Sequence, residues 1–146
     1  MKSKGGKRMK KEQAYFYQVY KGLAMGFGMH EAIFMAYMAD LAERRNRGYA
    51  TVYGLKKHLE ATGMGRRVFE RCVDKTSRMG LLERVPVDSR YDYVWDMAAY
   101  RKLVGIVSGT ANVVRLHAFC DGMFGKRGRQ VMSVTDDEIR ELKEGR

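Results

Sequence analysis

Proline occurs once in this 146-residue chain and cysteine twice. The lone proline, Pro86, cannot donate to a β-ladder, so it suits a peripheral strand with no partner on its N–H side. Cys72 and Cys120 form no spaced framework, which argues against a disulfide scaffold and for a reduced, cytoplasmic protein. Acid is scarce as well: 17 Asp and Glu stand against 28 Lys and Arg, a formal charge of +11. So positive a field favours nucleic acid or an anionic membrane surface as partner. No apolar run reaches transmembrane length, which argues against a membrane protein. After the basic start MKSKGGKRMKK, Tyr17-Gln18-Val19-Tyr20-Lys21 interrupts any signal-peptide core. Hydrolase, P-loop and Rossmann fingerprints are missing too. His30 and His58 have no nucleophile arranged around them. His117, Cys120 and Asp121 fall within one helical turn but have no second pair of metal ligands near them. The expectation is a protein without catalytic residues, metal or cofactor.

What is present describes a folded domain. Hydrophobic residues make up 45% and aromatics 11%, ample for a core at this length. Eleven methionines, among them Met25, Met29, Met35, Met38 and Met64, recur at helical spacing, which favours core filling over an adaptable groove.

The most structured signal is TGMGRRVFERCVDKTSRMGLLERVPVDSRYDYVW, residues 62–95. Gly63-Met64-Gly65 breaks regular structure, and Gly65 can serve as an N-cap. Phe69, Cys72 and Val73, with Thr76 and Met79, then recur at helical spacing over 66–79. Arg67, Arg71 and Arg78 fall on the opposite face, with Asp74 among them. Gly80 stands where a helix end wants a left-handed residue. Leu81-Leu82 open a strand, Asp88-Ser89-Arg90 supplies a turn, and Tyr91 to Trp95 alternates as the return strand.

This stretch resembles the recognition helix and wing of winged helix-turn-helix DNA-binding domains, such as bacterial regulators and phage or plasmid replication proteins. In that family a glycine, an apolar residue and a small N-cap precede a helix that ends in Gly-Leu and a further aliphatic. Gly63, Met64, Gly65 and Gly80-Leu81-Leu82 match that pattern. Thr76 stands where the family has a buried leucine, and Gly65 where it has Ser or Thr. The resemblance implies duplex DNA as partner, in transcription regulation or in replication and maintenance of a mobile element.

On that basis Arg67 and Arg71, one turn apart, can share a major groove, where arginine reads guanine bidentately. Arg66, nearer the helix start, suits phosphate. Arg78, about 16 Å from Arg67 at 1.5 Å per residue, overshoots the bases. Glu70 can accept from cytosine or pair with Arg66 or Arg67. Lys56 and Lys57 face outward on the preceding helix, where such a helix crosses the phosphate backbone. Arg84 and Arg90 on the hairpin can touch phosphate or a minor groove. Tyr91, Tyr93 and Trp95 share a strand face and read as core covering.

Elsewhere, residues 1–11 carry six Lys or Arg and no acid, so residues 1–12 read as a disordered basic arm, a solubilising tail or a phosphate contact. Residues 15–23, YFYQVYKGL, alternate imperfectly and are predicted as a strand, with Gly26 and Gly28 loosening the chain after it. Ile33, Phe34, Tyr37, Met38 and Leu41 predict a helix over 29–45, and Val52, Leu55 and Leu59 another over 51–61, capped by Thr51 and holding Gly54. Asp96 caps a helix through Ser108 with Met97, Tyr100, Val104 and Val107 on its apolar face. Val113, Leu116, His117, Cys120 and Met123 predict the next. Thr135 and Glu138 form a capping box before a short terminal helix. The fold class expected is mainly α with a small β-hairpin wing, a winged helix-turn-helix over 13–95 and a helical extension over 96–146. That extension either packs on the domain or makes a homodimer, with Leu116 in the seam. The rival functions are a winged-helix protein-interaction module of a larger complex and an RNA-binding module.

Overall fold

The computed structural model describes residues 18–44, 55–87, 90–110, 112–124 and 128–144. Among them lie seven α-helices and one two-stranded antiparallel hairpin. In chain order these are α1 (Lys21–Phe27), α2 (Met29–Arg44), α3 (Leu55–Thr62), α4 (Arg66–Arg78), β1 (Leu82–Val87), β2 (Arg90–Trp95), α5 (Met97–Val107), α6 (Val113–Phe124) and α7 (Asp136–Glu144). A 3-10 turn, Val131–Ser133, precedes α7. The predicted arm over residues 1–12, the cap Thr51, Val52, Gly54 and the turn residues Asp88 and Ser89 lie outside the described residues.

The fold is organised around α2. Ala32, Phe34, Met35, Ala36, Tyr37, Met38, Ala39, Leu41 and Ala42 are all buried, so this helix is covered on nearly every side. A helix apolar all round belongs in the middle of a core, and here α1, α3, α4, α5 and β2 pack against it. Phe34 meets Phe69 of α4 and Trp95 of β2 edge-on, with ring centroids 5.1 and 6.4 Å apart. Full burial of each such side chain contributes about 1.5–3 kcal/mol. Leu103 and Ile106 of α5 and Leu116, Cys120 and Met123 of α6 join the same core.

Local capping signals appear where the sequence places them. After α4, Gly80 takes φ 80°, its N–H donates to Ser77 O at 3.1 Å, and Leu81 N–H donates to Thr76 O at 3.0 Å. That double closure is a Schellman stop, which needs the left-handed glycine. Asp96 caps α5 by accepting from Ala99 N–H at 2.9 Å. Thr135 and Glu138 make the reciprocal box: Glu138 N–H donates to Thr135 Oγ1 at 3.2 Å, and Thr135 N–H to Glu138 Oε1 at 2.9 Å.

One expectation is corrected. The strand over residues 15–23 is not formed in its described part: Gln18 to Tyr20 are irregular and Lys21 to Leu23 open α1, while Tyr15 to Tyr17 lie outside the described residues. Leu23, Gly26 and Phe27 are buried at helical spacing, and that burial outweighs the β-propensity of the aromatics. The glycines serve close approach instead of a break. A Cβ on Gly22 would stand 2.8 Å from Val107 O, and one on Gly26 would overlap Cys120 Sγ, so α1 lies directly against α5 and α6. Of the two arrangements expected for the extension, the structure shows packing on the domain. Leu116, Cys120 and Met123 pack within the chain, α6 against α1, so they form no open seam for a second copy. No helix among the described residues is long and apolar enough to cross a membrane.

Candidate nucleic-acid interface

On α3, Leu55, His58, Leu59 and Thr62 share the inward side, and His58 rather than a leucine is the buried anchor. Its ring stacks on Phe69 with centroids 5.5 Å apart and meets Tyr37 and Tyr93 at 5.6 and 5.4 Å. A hydrogen bond joins His58 Nδ1 to the Tyr37 hydroxyl. One imidazole therefore ties α3 to α2, α4 and the hairpin. Lys56 and Lys57 lie exposed on the same helix. Thr62 Oγ1 donates to His58 O at 2.9 Å and accepts from Met64 N–H at 3.3 Å, tightening the exit. Gly63 at φ 72° then turns the chain, Met64 is buried, and extended Gly65 starts α4 without a side-chain cap.

Phe69, Cys72, Val73 and Thr76 turn α4 toward the core. Thr76 fits there because its hydroxyl donates to Cys72 O at 2.8 Å, satisfying a polar group that leucine would not bring. The outer side holds Arg66, Arg67, Glu70, Arg71 and Asp74, all exposed. Arg66 Nε donates to Glu70 Oε2 at 3.2 Å, so of the partners expected for Glu70 the structure shows Arg66. Arg71 Nε lies 3.8 Å from Glu31 Oε2, an oxygen that also accepts from Lys75 Nζ at 3.0 Å. Arg78 is held elsewhere: it pairs with Asp74, its carbonyl accepts from Gln130 Nε2 at 3.0 Å, and Gly128 lies against its Cβ. The last turn of α4 is thus covered by the segment before the 3-10 turn.

Register pairs Leu82 with Trp95, Arg84 with Tyr93 and Pro86 with Tyr91. Directly opposed residues share a sheet face, so exposed Arg84 stands on the side where Tyr93 touches His58 and Phe69. The hairpin therefore brings Arg84 toward α3 and α4. Trp95 is fully buried and Tyr93 half-buried, as core covering requires. The side chains of Arg90 and Tyr91 lie outside what the structure describes.

Nucleophile chemistry is poorly served at the two thiols. Burial pushes Cys72 up to about 12, with Glu31 adding to the effect, and burial with Asp121 does the same for Cys120. On α6 Cys120 turns inward while His117 and Asp121 are exposed, and no group of three or more metal-ligand side chains assembles among the described residues.

Sequence reasoning missed two residues here. Glu31 is a buried acid whose partner Lys75 is 44 positions away, so no local pattern marks it. His58 does fall in the i, i+3, i+4, i+7 set with Leu55, Leu59 and Thr62, a pattern that could have placed it inward.

Burial lowers the His58 pKa to about 4 from an ordinary 6.5. Between those values the unfolded chain binds a proton that the folded chain refuses. The stability this group confers is therefore complete above pH 6.5 and is lost as pH falls through about 4. By pH 4.5 the loss is about 2–3 kcal/mol. Glu138, held down to about 2 by Arg129 and Thr135, acts in a lower window, below its ordinary 4.5. Urea denaturation at pH 7.0 and 4.5 checks this: the parent midpoint should fall, and His58→Phe should lose most of that dependence. Equal parent midpoints would show that His58 does not titrate with folding.

No family model, no curated protein and no solved structure matches the chain.

Proposed function

We propose that this chain is a winged helix-turn-helix protein that binds duplex DNA by laying α4 in the major groove, without catalysing a reaction. The observation that carries this is the single-sided chemistry of α4: Phe69, Cys72, Val73 and Thr76 anchor it while Arg66, Arg67 and Arg71 stand outward. The order helix, glycine turn, helix, hairpin supports the same assignment, as does the net charge of +11. With side chains a helix is about 10–12 Å across, and the major groove is about 12 Å wide, so the groove admits α4.

Within that groove Arg67 and Arg71 read base edges, while Arg66, with Glu70 beside it, contacts phosphate near the helix start. Lys56 and Lys57 on α3 and Arg84 and Arg90 on the hairpin hold the flanking backbone. Arg78, engaged with Asp74 and covered by Gly128, stays out of the interface. The biological setting that fits is transcription regulation or the replication and maintenance of a mobile element.

A fluorescence competition distinguishes duplex DNA from RNA. A labelled random 20-base-pair duplex should be displaced by unlabelled duplex DNA at lower concentration than by a hairpin RNA of equal length. A-form RNA has a major groove too deep and narrow for side chains to read. Displacement by the RNA at equal or lower concentration would point to the RNA-binding alternative.

A further inference from the structure

Glu31 is an expensive residue to bury. Its side chain is 6% exposed, in the first turn of α2, and it faces two cations of α4. Lys75 Nζ donates to its Oε2 at 3.0 Å and Arg71 Nε stands 3.8 Å from the same oxygen. The backbone makes room for it. Gly28 adopts φ 113° and ψ 158°, a region open essentially to glycine alone, and a Cβ there would stand 2.7 Å from Glu31 Oε1. Stability alone is a weak reason for such a group, because a buried ion pair is often matched or bettered by apolar side chains of the same volume.

The two cations are not in equivalent positions. Lys75 is three-quarters buried and neutralises the carboxylate directly. Arg71 is about half exposed and meets Glu31 at ion-pair distance through Nε, the inner corner of its planar fork. A guanidinium is rigid and flat, so a partner at its Nε corner limits the directions open to both terminal nitrogens. Arg71 is at the same time exposed on the outer side of α4, so it meets Glu31 at one nitrogen while staying accessible.

We propose that Glu31 is a positioning residue for base recognition: it holds Arg71 so that its outer edge meets guanine O6 and N7 as a pair of donors. This rests on the assignment of α4 to the major groove. Lys75 donates to the same oxygen from the buried side, and Arg71 is the group whose direction matters.

The experiment uses the full chain and a duplex selected by it from a random library. The base pair read by Arg71 is the one whose replacement no longer matters in Arg71→Ala. Glu31→Gln should lower preference at that pair about tenfold, the discrimination that a bidentate arginine–guanine contact supplies. Affinity for an unrelated duplex should not fall, because a negative charge has been removed from the interface. Lys75→Met breaks the same buried pair, so it controls for lost structure and should keep the preference. In an Arg71→Ala background, Glu31→Gln should have no further effect on preference. Should Glu31→Gln not fold, Glu31→Asp, which withdraws the charge by one methylene, carries the same expectation.

Full preference in the Glu31 variants would overturn the positioning role while leaving the groove assignment standing. Equal erosion by Lys75→Met would do the same, since it would reduce Glu31 to a structural part. A parent chain that binds no duplex would remove the groove assignment itself.

Discussion

Leu116→Glu should unfold the protein, or nearly so, without first producing a smaller folded species. Leu116 is 1% exposed on α6, and its Cγ lies 3.3 Å from where a Gly26 Cβ would be, so α1 closes directly over it. A carboxylate there loses the leucine's burial and gains an uncompensated charge. Together these cost about 5 kcal/mol or more. That is comparable to the whole stability of a small domain, about 5–15 kcal/mol. Urea denaturation should show a sharply lowered midpoint, and light scattering of the remaining folded fraction should give the parent mass. A well-folded variant of half the parent mass would restore the homodimer seam expected from the sequence and contradict the packing of α6 on α1.

The second large effect belongs to the outer side of α4. Arg67→Ala and Arg71→Ala should each weaken binding to a selected duplex by about 1–3 kcal/mol and relax preference at one position. Combined, they should cost about 30- to 20,000-fold if the two contacts are independent. Thermal stability should hardly change, because both side chains are exposed and Arg71→Ala still leaves Lys75 on Glu31 at 3.0 Å. Paired melting curves and titrations check both halves. Unchanged affinity with unchanged melting would remove α4 from the interface.

Why some of this was legible in the sequence and some not follows from the range of each interaction. The stop at Gly80, the Asp96 cap and the Thr135–Glu138 box are contacts over five residues or fewer, and each stands where its residues predicted. The two faces of α4 were legible for the same reason, since periodicity alone separates Phe69, Cys72 and Val73 from Arg67 and Arg71. Residues 15–23 misled because aromatic β-propensity is local, whereas what makes α1 helical is burial of Leu23 and Phe27 and the space that Gly22 and Gly26 leave for α5 and α6. Burial of the Leu116 stripe depends on the same helix, so without α1 the sequence left packing on the domain and dimerisation both open. His58 and Glu31 take their roles from partners 21 and 44 positions away, and an isolated His or Glu gives no sign of that.

Duplex binding by α4 and its basic surroundings is tested most directly by a salt titration of the parent chain. Affinity for a selected 20-base-pair duplex would be measured by fluorescence anisotropy from 50 to 300 mM KCl. Each phosphate neutralised contributes a slope of about −0.9 in log K against log salt. Contacts from Lys56, Lys57, Arg66, Arg84 and Arg90 therefore predict a slope of about −4 to −5. Preference over an unrelated duplex should persist at the highest salt, because base contacts release no counterions. A slope near zero, or no difference between selected and unrelated duplexes at any salt, would contradict groove binding by α4.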